Sequence, residues 1–146
     1  MTIKESWKNH PLYKEGKIEL VPTEWVWKYW GRDVSPKTTL MDGTEVDLDA
    51  LWKNICEEGL HEPLVMRVGI KNKKFRLEAG NHRIQVLHDN KVEMIPVTVE
   101  VQDECGPHVS NVMTDATHNF DYEDGLVSNT DKRYMKPSEV FRIPQN

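Results

Sequence analysis

Residues 76–96 run Arg-Leu-Glu-Ala-Gly-Asn-His-Arg-Ile-Gln-Val-Leu-His-Asp-Asn-Lys-Val-Glu-Met-Ile-Pro. A strand pattern reaches Gly80, and a helical pattern then opens at Asn81-His82-Arg83, with Ile84, Leu87 and His88 spaced to meet a sheet. Such a junction suits an anion. Gly80 permits a tight turn that a side chain would obstruct, and Asn81 is a good helix N-cap. The first N–H groups of a helix have no intrahelical partner and lie at its positive end. His82 and Arg83 can add donors, and a planar guanidinium matches phosphate oxygens in pairs. The same four residues equally fit a plain turn before a helix, with Arg83 held by a surface carboxylate, so the flanking context has to decide.

Working outward, Leu64–Ile70 is rich in β-formers, Lys71-Asn72-Lys73 is a turn, and Lys74–Ala79 is a partner strand, which together make a hairpin. Ile95–Val101 alternates as a final strand. Upstream, Asp47 or Asp49 caps a helix to about Glu58, with Leu48, Leu51, Trp52, Ile55 and Cys56 at helical spacing and Gly59 as its stop. Ile18–Val21 is a short strand ended by Pro22, and Thr23 then caps a helix to Trp30. Trp25, Trp27 and Trp30 fall within six residues. A core plug is their expected use, with base stacking or protein docking as the alternative. Residues 31–46 read as a loop around Pro36 and Asp42-Gly43. Residues 1–16 read as an irregular arm, 17–102 as an α+β domain with helices against a sheet, and 103–146 as an irregular C-terminal extension with a short helix near Lys136.

A length of 146 residues fits one domain. The net charge of −5 disfavours general DNA coating, because such binding draws on neutralised phosphates. The basic cluster Lys71, Lys73, Lys74 and Arg76 is best explained as a solvated hairpin tip. No run approaches the roughly 20 apolar residues of a membrane span, and the first residues lack the apolar core of a signal peptide, so a cytoplasmic location without membrane attachment is expected. Cys56 and Cys105 are the two cysteines. Their separation suggests neither a disulfide framework nor a zinc site; Cys56 is expected in the core and Cys105 in an exposed loop. The histidines at 10, 61, 82, 88, 108 and 118 do not form a metal spacing; His82 and His88, six apart, fall on different helix faces.

From Ile18 to Val101 the chain resembles the ParB/sulfiredoxin-like superfamily, in three blocks. Ile18-Glu-Leu-Val-Pro-Thr-Glu24 is similar to the family's opening strand with its nearby acid. Gly59-Leu-His-Glu-Pro-Leu-Val65 is similar to its helix-to-strand junction, with Glu62 where Gln is usual. Leu77-Glu-Ala-Gly-Asn-His-Arg83, followed by Val92-Glu-Met-Ile-Pro-Val97, is similar to its Ala-Gly-Glu-Arg-Arg turn and later strand. The resemblance implies a small mixed sheet with helices packed against it and a nucleotide (ATP, ADP or CTP) held by its phosphates. By position, Gly80 makes the turn, Asn81 and His82 contact phosphate, and Arg83 supplies the fixed charge. His61 and Pro63 of the second block are carried over as pocket residues. Glu24 is the candidate catalytic base and Glu78 the candidate partner of a Mg²⁺ ion, each weighed against an ordinary surface carboxylate.

Departures from the family narrow the chemistry. Asn81 stands where sulfiredoxin has its cysteine nucleophile, and an amide cannot replace a thiolate. The residues after Val101 are too few and too irregular for ParB's DNA-binding and dimerisation regions, and Ala79 stands where a related serine kinase has an acid. A stand-alone nucleotide-binding domain is thus expected, with nucleotide hydrolysis or phosphoryl transfer as its candidate activity. The alternative is a non-enzymatic DNA-associated or host-protein-binding module of phage or mobile-element type, docking through the tryptophans or the acidic tail. A ParB-like nuclease is a third option, against which the acidic charge and the lack of a metal-carboxylate cluster both count. Oligomeric state is left open.

Overall fold

Hydrophobic alternation along 64–79 and 94–102 builds the centre of the sheet. The computed structural model describes residues 3–30, 37–39, 43–71, 73–103, 111–112 and 133–144. Strands β1 (Glu19–Pro22), β2 (Lys37–Thr39), β3 (Glu45–Asp47), β4 (Leu64–Gly69), β5 (Lys74–Ala79), β6 (Met94–Gln102), β7 (Asn111–Val112) and β8 (Arg133–Met135) are joined by helices α1 (Pro11–Lys14), α2 (Thr23–Trp30), α3 (Leu48–Glu58), α4 (Asn81–Asp89) and α5 (Pro137–Val140). The main sheet has the order β1-β6-β4-β5-β7, with β8 also on β6; β2 and β3 form a separate ladder. The expected mixed sheet with helices is present.

β4 and β5 pair antiparallel, whereas β4 and β6 pair parallel from Leu64↔Val97 to Gly69↔Gln102. A parallel neighbour needs a crossover, and α4 supplies it between β5 and β6. β6 is buried from Ile95 to Gln102, as befits a strand covered on both faces. One face carries Met66, Val68, Phe75, Val97, Val99 and Val101, which join Ile84 and Leu87 of α4 and Val26 of α2 in the core. On the other face Arg67 bridges Glu78 at 3.1 Å and Glu100 at 3.3 Å, and Arg76 bridges Glu78 at 2.7 Å.

Several sequence expectations are corrected. The amino-terminal stretch is packed, with Trp7 buried against the core and Lys4 Nζ donating to the Glu57 carbonyl at 2.7 Å. Thr23 does not cap α2: its buried hydroxyl has no hydrogen-bond partner, because its N–H instead closes on the Glu93 carbonyl at 2.8 Å. The stretch read as a loop over 31–46 contains β2 and the first two residues of β3, in register Lys37↔Asp47 to Thr39↔Glu45. Cys56 is exposed, since α3 buries only a narrow stripe centred on Ile55. Asp47 is the α3 cap, accepting from Asp49 N at 3.0 Å, and Gly59 ends the helix with φ 84°.

The sheet does not end at Gln102. β8 pairs with β6 at Val99↔Met135 through Val101↔Arg133, and the terminal helix expected near Lys136 is present as α5. Phe141 beyond it is fully buried, 5.5 Å from Trp25 and 5.5 Å from Phe75 in edge-to-face contacts. Tyr29 meets Trp25 at 5.9 Å in the same cluster. The core use expected of the tryptophans holds for Trp25; the Trp30 side chain lies outside the described residues, as do Cys105, His108, His118 and the acidic stretch 121–124. Phe141→Ala is expected to lower stability by about 3–5 kcal/mol, the range for emptying a buried aromatic site. Urea denaturation of the full chain checks it, and an unchanged midpoint would remove the C-terminal segment from the core.

Candidate functional site

Hairpin register brings the second and third sequence blocks together. The end of β5 lies beside the start of β4, with Val65 opposite Ala79, so the Glu62-Pro63 segment that leads into β4 runs next to the Gly80 turn. Gly80 has φ 115° and is itself the N-cap of α4, with no side-chain capping bond. Asn81 is therefore the first helical residue rather than the cap, because the reversal out of β5 needs a backbone conformation that side chains rarely adopt. A Cβ on Gly80 would fall 2.7 Å from Leu64 Cγ. The turn thus has no room for a side chain, in conformation or in space.

Arg83 folds back over its own helix start. Its Nη1 donates to the Glu62 carbonyl at 2.7 Å and reaches the Pro63 carbonyl at 3.4 Å, and its Nη2 lies 3.4 Å from the position a Gly80 Cβ would take. Burial pulls the guanidinium below its ordinary pKa, and the Glu62 charge pushes it back up; arginine nevertheless stays protonated. One arm of the fork ties the second block to the third. The Glu62 carboxylate turns the other way, to His10 Nε2 at 3.0 Å, while His10 Nδ1 accepts from Leu12 N and caps α1.

Beside Arg83 lies a depression of about 170 Å³ between the end of α3 and the 59–62 segment. His61 and Arg83 both line it, together with Leu51, Asn54 and Ile55 of α3. The α3 residues were not expected at the site, and nothing in their sequence marks them, because only the packing of α3 beside α4 brings them there. Pro63 is buried and contributes its carbonyl rather than a pocket wall. Asn81 is exposed and His82 half-buried, and the first N–H groups of α4 lack intrahelical partners. No acidic residue occupies the first turn of α4, where one would ordinarily balance the helix dipole.

The two remaining candidates lie elsewhere. Glu24 sits at the start of α2, and its carboxylate pairs with His88 Nε2 at 3.2 Å. His88 stacks on Trp27 at 4.0 Å between ring centres and 9° between planes. Seven residues of α4 separate His88 from Asn81, about 10 Å along the axis, so Glu24 is not brought to the α4 start. His88 leans towards α2 instead of the sheet because α2 lies alongside α4. Glu78 points to the opposite face of the sheet, where Arg67 and Arg76 occupy its two oxygens. Two guanidinium groups oppose a cation there, and no cluster of three metal-ligating side chains exists among the described residues. At Glu78 the described residues do not fit a protein-held Mg²⁺.

Among the described residues no helix is long and apolar enough to cross a membrane. Gly80→Ala is expected to destabilise the fold by about 1–3 kcal/mol through the left-handed φ and the approach of Leu64, read as a lowered denaturation midpoint. Arg83→Met is expected to cost about 1–3 kcal/mol by leaving the Glu62 carbonyl without its charged donor; hydrogen exchange should then quicken locally over 59–63, and unaltered protection there would dissociate the tether from the site. No protein-family model, no curated protein and no solved structure matches the chain.

Proposed function

We propose that this protein contains a nucleotide-binding domain of ParB/sulfiredoxin-like kind, which grips its ligand by the phosphates at the start of α4. The observation that carries this reading is an exposed helix start with no capping side chain and no acid in its first turn, over which the Arg83 guanidinium is folded and held. Unpartnered N–H groups at a positive helix end are a ready anion site. The Gly80 turn lets a phosphate approach the backbone, and Arg83 keeps a second terminal nitrogen that has no protein partner among the described residues. His82 stands on the same turn as a further donor. The neighbouring depression, at about 170 Å³, is smaller than the usual 300–1,000 Å³ of a small-molecule pocket, so the phosphates are the anchor and the nucleoside lies along the open rim near His61.

Binding is the function favoured over turnover. Glu24 is committed to His88 at the far end of α4, and no carboxylate cluster stands ready for a metal among the described residues. A base at the α4 start would have to be His82 or His61. Neither the pairing of Glu78 with Arg67 and Arg76 nor the acidic composition supports nuclease chemistry.

Asn81→Asp separates ligand binding from folding because the two respond with opposite sign. A carboxylate in the first turn should stabilise the helix by about 0.3–1 kcal/mol, yet repel an incoming phosphate and weaken it about tenfold or more. Titration of the full chain with ATP, ADP, CTP and inorganic phosphate, followed by amide NMR shifts at residues 81–83, is expected to show saturable binding that does not require Mg²⁺. Glu24→Gln should bind as tightly as the native chain. Absence of any shift at 81–83, or undiminished binding by Asn81→Asp, refutes the proposed site.

A further inference from the structure

A second concave surface lies on the other side of the 59–62 segment. Trp7, Leu60 and Val92, each at most 6% exposed, form the floor of a groove of about 330 Å³. Leu20 and Met94 form one wall and are 40% and 38% exposed, which makes them two of the three exposed large hydrophobic residues among those described. They fall on one sheet face by register, since Leu20 pairs with Pro96 and Pro22 with Met94, while Val21 and Ile95 turn to the core between them. Leu20 and Met94 also border an adjoining depression of about 200 Å³, closed on the far side by Ile143 and Pro144. The two hollows thus share a single apolar ridge.

Among the described residues, the charged side chains that line the hollows are acidic: Glu5 and Glu93 at the first, Glu19 at the second. Glu5 is bridged by Lys8, and Glu19 accepts from Ser138 N and Oγ at 2.8 and 2.7 Å. Glu93 is exposed and has no side-chain partner among the described residues; only its main-chain carbonyl is used, by Thr23 N. An apolar floor with a rim of one sign selects against nucleic acid and against acidic peptides, because like charges brought together on docking are repelled. Contiguous exposed apolar surface rimmed by polar groups is the usual mark of a protein-binding site.

We propose that this double groove docks an extended peptide segment whose apolar side chains straddle the Leu20–Met94 ridge and whose flanking lysine or arginine residues meet Glu93 and its neighbours. Alternate side chains of an extended chain project to the same side roughly 6.6–6.8 Å apart, which lets one segment fill both hollows while basic residues beyond its ends reach the rim. The proposal is independent of the phosphate site, whose cation Arg83 faces the opposite side of the 59–62 segment.

The test is an amide NMR titration of the full chain with three short synthetic peptides that carry leucines at alternate positions separated by serine, flanked at both ends by lysine, serine or glutamate. The lysine peptide is expected to bind at least about tenfold more tightly than the glutamate peptide, to shift the amides of Leu20, Leu60 and Met94, and to lose affinity with added salt. Glu93→Lys should weaken it about tenfold or more, and Met94→Ala should weaken all three peptides; both positions are exposed, so folding is monitored in parallel by the denaturation midpoint. Equal binding of lysine and glutamate peptides, shifts confined to other residues, or undiminished binding by Glu93→Lys overturns the proposal. Concentration-dependent shifts of the same amides without peptide would assign the groove to a second copy of the chain and overturn it as well.

Discussion

Parallel pairing of β4 with β6 is the constraint on which the remaining geometry hangs. Two strands that run the same way cannot be joined by a tight turn, so β5 and then α4 must occupy the interval between them. Because β5 returns antiparallel along β4, it ends beside the place where β4 begins, and the reversal into α4 happens there. Gly80 is pressed against Leu64 for that reason. The residues before β4 and those after β5, some twenty positions apart in the chain, become neighbours without any affinity of their own.

Arg83 turns that neighbourhood into a defined corner. Its guanidinium gives up solvation to bind two main-chain carbonyls, and the Glu62 charge offsets part of that loss. A charge-assisted bond of this kind is stronger than a neutral one, and it fixes the 59–63 segment against the opening turn of α4. The same charge contributes a positive field where the first α4 amides lack intrahelical partners. In the proposed site this one side chain would serve twice, as structural tether through Nη1 and as ligand donor through its remaining nitrogens. The Glu62 carboxylate is held by His10 Nε2 at 3.0 Å.

The 59–62 segment also divides the molecule's concave surfaces. Leu60 lines the groove beneath Leu20 and Met94 as well as the depression beside Arg83, so the two hollows back onto one short stretch of chain. Their electrostatic characters differ: Arg83 borders the depression, whereas Glu93 is the carboxylate that lacks a side-chain partner at the groove, among the described residues. Lys4 anchors the amino-terminal stretch to the end of α3, and Gly59 leaves no space for a side chain against Lys4 and Ser6. That stretch therefore helps shape both surfaces by fixing the segment between them.

Local chemistry in the sequence was enough to determine the β4–β5 hairpin, the stop at Gly59 and the glycine turn before α4, since each depends on the conformational range or hydrogen-bonding reach of a few adjacent residues. It left the α3 cap between Asp47 and Asp49, which the structure resolves in favour of Asp47. Only tertiary structure decided that Arg83 spends one arm on the Glu62 and Pro63 carbonyls, that Glu24 serves His88 and Trp27, and that Glu78 is enclosed by Arg67 and Arg76. It likewise decided that Cys56 faces solvent and that residues 133–144, which lack sustained periodicity, complete the sheet and core. Partners for long side chains and short strands come from distant parts of the chain, and periodicity along a single segment carries no record of what will pack against it.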